Sequence, residues 1–306
     1  MEDSGRGLHM IPDKDFMKLY KYDPDKLYNG WLYQEKFDGV FCALDIRTGK
    51  VLSRQRKELY IPKLSYLSRI IADMLTHIDP ADFDYVLFEL TNADFTLEEL
   101  SGLVNPNRRN TWPEPAMHSQ NWKLHVHDGI QLTDGEDNTP YRKRLEYCLL
   151  SIPDGTSDNY SVVTTRVLAD STRAYELAET YFKKGAEGIV LKDPEGGYRC
   201  GARVHHQVKL VRVFTADVTI LQVEYGKGKR SKQVARMYCR DIDEGIAFWA
   251  DLGKGWTDAK RNSLTAQYEA NPNTLLGTTW VVTGLQKSST GASLRLPKLL
   301  HKRFDK

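Results

Sequence analysis

The chain is poor in cysteine, with four among 306 residues, at positions 42, 148, 200 and 239, and no C-x-x-C pair. That sparseness excludes a disulfide-stapled secreted scaffold and reads as free thiols in a reducing cytoplasm. No run approaches the roughly 18 consecutive apolar residues that a membrane span requires, so no membrane partner is expected. The first residues lack the basic-then-apolar order of a secretory signal. Internal repeats and low-complexity tracts are missing too, which argues against solenoids and tails. An excess of either charge is also lacking: 43 basic and 41 acidic residues leave a net charge of +2.

What is present is an ordinary globular balance of 41% hydrophobic and 27% charged residues over a length that suits two domains. The small net charge is a cancellation. Residues 201–306 hold 18 Lys/Arg against 9 Asp/Glu, while residues 1–200 carry an acidic surplus. Such asymmetry between halves points to an anionic partner met by the basic one.

Apolar periodicity predicts strands over 31–36, 40–46, 50–54, 85–90, 123–130 and 188–192, and helices over 65–77, 141–150 and 171–184. Asp94 is placed to cap a short helix after the 85–90 strand, and Gly185 to end the 171–184 helix. Beyond Phe214 the pattern turns to short strands over 217–225, 233–240, 246–249 and 279–285, with one helix over 257–270. Five or so strands and one helix in that length suit a small barrel of the OB type. The expected class is α+β, antiparallel sheets over 1–213 followed by an OB-fold barrel over 214–306.

Four short segments carry candidate chemistry. Glu35-Lys-Phe-Asp-Gly39 sets a lysine at the end of an apolar strand, followed by an aspartate and a glycine that permits close backbone approach. Glu187-Gly-Ile-Val-Leu-Lys192 brackets apolar residues with a carboxylate and a lysine; five apart on a strand, the two face opposite ways unless Gly188 allows a bulge. Lys209 lies within the β-branched stretch 208–212, and the chain closes on the apolar, basic run 294–306. Lys227, Lys229, Arg230 and Lys232 form a glycine-bracketed basic loop suited to phosphates. Cys200, His205 and His206 lie close together, but with no second cysteine nearby they are not read as zinc ligands.

In this order and spacing the segments resemble the ATP-dependent DNA ligases of the covalent nucleotidyltransferase superfamily, most closely the short, two-domain phage and viral type. The resemblance runs from about Trp31 to Lys306. It implies a nucleotidyltransferase (adenylation) domain over 1–213 and sealing of nicks in duplex DNA, with ATP and Mg²⁺ as cofactors, by a monomer. It places Lys36 as the nucleophile on the α-phosphate of ATP, with Asp38 nearby and with Lys192 and Lys209 neutralising that phosphate. A neutral lysine amine at pH 7 costs about 4.6 kcal/mol, which neighbouring cations reduce. For ATP binding, the resemblance implies Glu89 on the ribose, Arg54 near the ribose or nick phosphate, Gln34 at the adenine edge, and His127 where an aromatic stacks on adenine. Arg303, Asp305 and Lys306 match the motif that orients pyrophosphate, and Glu187 matches the metal carboxylate. The sequence departs from the family at Phe41, where an arginine is common, at Val211, where a second lysine is usual, and at His127. An RNA ligase, a capping guanylyltransferase of the same superfamily and a non-catalytic OB-type nucleic-acid binder stay open as alternatives.

Overall fold

The computed structural model describes residues 14–61, 64–105, 107, 114–253, 255–284 and 294–303. Asp305 and Lys306 lie outside the described residues. The chain divides into two compact units, Met1–Val211 and Arg212–Lys306.

The first unit holds two five-stranded sheets. One runs Lys18–Lys21, Arg203–Val211, Gly188–Lys192, Leu32–Lys36, Thr165–Val167, and the other Val51–Leu52, Val40–Asp45, Tyr85–Asn92, Trp122–Ile130, Tyr160–Val162. Most neighbours are antiparallel, so side chains facing each other across a pair share a face and alternate along each strand. In the first sheet Tyr33, Ile189, Leu191, Val208 and Leu210 point one way and pack on Ala174 and Ala178 of the helix Ala174–Lys183. The other face is polar: Lys36 pairs with Gly188, Gln34 with Val190, Val190 with Lys209, and Lys192 with Gln207.

In the second sheet Cys42, Leu44, Phe88, Leu90, Leu124 and Val126 join the core beneath the helices Ser65–Thr76 and Tyr141–Ser151. The Ser65–Thr76 helix contributes Leu67, Ile70, Ile71 and Met74. Their burial is worth on the order of 6–12 kcal/mol before chain entropy is charged against it. On the opposite face Phe41 lies across from Glu89, and Glu89 across from His125.

The helix after Tyr85–Asn92 is Leu97–Leu103, and Asp94 does not cap it. Thr96 does, in a capping box with Glu99, because a cap must sit immediately before the first helical residue. Asp94 instead accepts from Ser119 Oγ and Asn121 Nδ2. The expected 171–184 helix begins as a 3₁₀ turn, Ser171–Arg173, and Gly185 follows it with φ +86°.

The second unit is a closed barrel ordered Phe214–Tyr225, Val234–Asp241, Ala247–Leu252, Lys298–Lys302, Thr279–Gly284. Val218, Ile220, Met237, Cys239, Ala250, Val282 and Leu299 fill it, and Thr257 caps the helix Asp258–Ala270. The class is therefore α+β, with an OB-type barrel. Lys298–Lys302 closes it by pairing parallel to Ala247–Leu252 and antiparallel to Thr279–Gly284. No helix among the described residues is long and apolar enough to cross a membrane.

Candidate functional site

A cavity of about 300 Å³ in the first unit is lined from both sheets. The polar face of the first sheet supplies Gln34, Lys36, Lys192, Gln207 and Lys209, and the second sheet supplies Phe41, Glu89, His125 and His127. Arg54, just after the strand Val51–Leu52, completes this set.

Lys36 ends its strand with Nζ donating to Glu187 Oε2; the two side chains are 17% and 12% exposed. Glu187 precedes the strand Gly188–Lys192 rather than lying within it, and its backbone N–H donates to the Lys36 carbonyl. Gly188 makes this possible, because a Cβ there would stand 2.1 Å from the Leu210 carbonyl oxygen. Glu187 and Lys192, expected on opposite faces without a bulge, thus serve one site: the first reaches Lys36 and the second lines the cavity.

Lys192 is 2% exposed, donates to the His127 carbonyl at 2.6 Å and lies 4.2 Å over the Tyr141 ring. Burial lowers its pKa to about 8 against the opposing pull of Asp128. Lys209 is likewise pushed down, by burial and then by Lys36. Burial lowers His127 to about 3, Lys192 adding to it, so its imidazole is neutral and free to stack.

Gln34 is 2% exposed, and its Nε2 donates to Tyr141 Oη and Thr165 Oγ1, both at 2.8 Å. Those hydroxyls spend their own protons on the His127 and Val163 carbonyls, which fixes the amide's orientation. Its Oε1 is left without a protein donor among the described residues.

Arg54 donates to the Met17 carbonyl at 2.7 Å and stacks 3.7 Å over Phe41. Phe41 thus seats a cation.

Glu89 has no hydrogen-bond donor among the described residues. Burial raises its pKa to about 7, with Lys36 and Arg54 opposing. A raised carboxyl contributes its stability below the unfolded value of about 4.5 and loses it as pH rises through 7. Glu89→Gln is therefore expected to gain on wild type across that window, by about 3 kcal/mol at most. Urea unfolding at pH 5 and pH 8 measures it; an equal difference at both pH values contradicts the assignment.

Not every expected residue gathers here. Asp38 lies in the turn after Lys36 and is not among the cavity-lining residues. Gly39, next to it, is where a Cβ would meet the Leu90 carbonyl oxygen at 2.5 Å. Arg303 belongs to the barrel unit, its Nε donating to Asp217 Oδ1 at 3.1 Å. Lys227, Lys229, Arg230 and Lys232 are exposed between the strands Phe214–Tyr225 and Val234–Asp241, with Asp258 within 4 Å of Lys229 and Arg230. Cys200 accepts from Arg56 Nη2, His206 Nε2 meets the Gly197 carbonyl, and His205 lies against Tyr20 with the rings tilted by 40°.

His125 and Gln207 are among the polar lining residues not anticipated from the sequence, as are Lys18, Asp128, Tyr198 and Arg203. His125 stacks face to face on Phe37, with centroids 3.7 Å apart, and meets Thr91 Oγ1. Its alternation with His127 on one strand was the available signal. For Gln207 the signal was its position two residues before Lys209, on the same face of one strand.

A model of the ATP-dependent DNA ligase domain matches residues 17–210. A probable DNA ligase of Mycolicibacterium paratuberculosis is 28% identical over 198 residues, 58% of this chain and 36% of that protein. The chain thus matches about a third of such a relative's length. Among solved structures, one from a structure–function study of DNA binding by Lig E DNA ligases aligns with a TM-score of 0.70 at 17% identity, covering 94% of this chain and 99% of its own. The ATP-dependent DNA ligase of bacteriophage T7 aligns at 0.52 and 18%, covering 96% and 99%. At these identities the likeness is one of fold.

Proposed function

The chain belongs to the ATP-dependent DNA ligase family, and from that premise we propose that Lys36 is its adenylated nucleophile and nicked duplex DNA its substrate. The observation that carries this reading is a strand-end lysine held by Glu187 in a cavity shared with Lys192 and Lys209. Nζ attacks the α-phosphorus of ATP; an N–P bond forms, the bond to pyrophosphate breaks, and a proton leaves the amine. AMP then passes to a DNA 5′-phosphate, and a 3′-OH displaces it to close the nick.

Lys209 and Lys192 stabilise the charge that develops on the α-phosphate. Glu89, a carboxylate without a donor, takes the ribose, Arg54 lies near the ribose or nick phosphate, and neutral His127 stacks on the base. Asp38 acts from the turn beside Lys36, and Arg303, Asp305 and Lys306 orient pyrophosphate. Mg²⁺ suits the donor set, since it takes one or two carboxylates together with substrate phosphates. Glu187 would hold it, and it would supply positive charge against the phosphates. Residues 1–213 form the adenylation domain. The barrel over 214–306, with Lys227, Lys229, Arg230 and Lys232, follows the duplex. The protein works as a monomer, and inside the cell, where its four buried cysteines stay free thiols.

The fixed Gln34 amide favours ATP over GTP, because Oε1 accepts from the adenine 6-amino group and opposes the guanine 6-oxygen. Incubation with ATP or GTP labelled in the α-phosphate, then with nicked DNA or nicked RNA, is the test. Label on the protein from ATP and sealing of nicked DNA are expected. Label from GTP, or DNA binding without any protein-bound AMP, overturns the reading.

A further inference from the structure

Val190 forms a small apolar floor in the cavity. Gln34 faces it across one strand pair and Lys209 across the other. At the inner end of this floor Lys192 and Gln207 face each other across the strands Gly188–Lys192 and Arg203–Val211. Gln207 is 4% exposed, and its buried Nε2 has no hydrogen-bond partner among the described residues. Its neighbours on this face are engaged elsewhere: Lys192 Nζ donates to the His127 carbonyl, and Gln34 Nε2 donates to Tyr141 Oη and Thr165 Oγ1.

A buried amide left unpaired costs about 1–3 kcal/mol, so such groups are rare in folded proteins unless a ligand completes them. An apolar floor with amides at its margin is a surface that takes a flat heterocycle, apolar on its faces and hydrogen-bonding at its edge. Gln207 is the diagonal neighbour of Val190, about 7–8 Å away between strands, which places it at the edge of a ring system lying on that floor. We propose that Gln207 Nε2 donates a hydrogen bond to a ring nitrogen of the purine base of the bound nucleotide, making it a base-selecting residue beside Gln34. The proposal rests on the ATP reading above.

Self-adenylation kinetics of wild type and Gln207→Leu, with ATP and its 1-deaza, 3-deaza and 7-deaza analogues, test it. Each analogue replaces one ring nitrogen by C–H. With ATP, Gln207→Leu is expected to raise KM about 10- to 100-fold and leave kcat within about twofold. Its thermal midpoint equals or exceeds that of wild type, because an unpaired polar group has been removed. One analogue carries a similar penalty in wild type and no further penalty in the variant. An unchanged ATP KM in Gln207→Leu, or a penalty for every analogue that persists in the variant, overturns the proposal. Should the leucine variant not fold, Gln207→Met is read by the same criteria. A wild-type protein that forms adenylate normally while the variant matches it refutes the role of Gln207 alone; a wild type labelled by none of the four nucleotides refutes the ATP reading as well.

Discussion

Lys36→Ala is expected to abolish transfer of label from α-labelled ATP to the protein, a loss on the order of 10⁴-fold or more. The reason is chemical: no other group in the cavity can form the N–P bond from the same position. Lys192 is tied to the His127 carbonyl, and Lys209 stands two strands away, across Gly188–Lys192. Alanine also strips Glu187 of its ion-pair partner, in a place where both side chains are largely buried, and some stability goes with it. Lys36→Arg separates the two effects. A guanidinium keeps a positive charge against Glu187 but stays protonated and so cannot attack phosphorus. The arginine variant should therefore hold close to the wild-type unfolding midpoint and still take no label. AMP bound covalently to either variant removes Lys36 from the role of nucleophile.

The largest effect on stability is expected at Arg144. Its guanidinium clasps Asp128 with two bonds, 2.9 and 3.1 Å, and also donates to the Thr139 and Gly196 carbonyls; both side chains are 2% exposed. Arg144→Leu leaves a buried carboxylate without its partner, which costs about 3–5 kcal/mol. For a unit of this size that corresponds to a drop in Tm of about 10 °C. Burial pushes the Asp128 pKa up, but Arg144 and Lys192 outweigh it and leave a net lowering. A lowered carboxyl contributes stability above its unfolded value of about 3.9 and loses it as pH falls through the folded one. Wild type should therefore lose much of its advantage over Arg144→Leu in acid. Adding Asp128→Leu to Arg144→Leu should recover part of the loss, since it is the lone charge and not the missing pair that costs most. Calorimetry of wild type and the single and double variants at pH 7 and at about pH 2.5, below the window that opens at the unfolded value, decides it; a double variant less stable than the single contradicts the account.

Much of this was legible along the chain, because strand periodicity is local. Lys36 stood out at the end of an apolar strand and Lys209 within a β-branched one, so both could be singled out from the residues alone. What pairing decides was not legible. His125 becomes a wall of the cavity only because its strand lies across from Glu89, and Gln207 matters only because Lys192 lies opposite. Phe41 read as a departure from a family pattern, and its use as a seat for Arg54 needed two strands in register. Thr96 took the cap from Asp94 by two positions, a distance too short for residue type alone to resolve.

The first sheet also has a history in time. Among the described residues, the strand that carries Lys36 pairs with Thr165–Val167 and Gly188–Lys192, both made much later in synthesis. At a synthesis rate of about 5–20 residues per second, that strand waits on the order of 10 s for its first sheet neighbour. The second sheet can begin sooner, since Val40–Asp45 and Tyr85–Asn92 follow it closely. Contacts this distant along the chain close slowly. The nucleotide binding proposed above would therefore arrive late in folding, and its appearance would mark a first unit whose two sheets have both assembled.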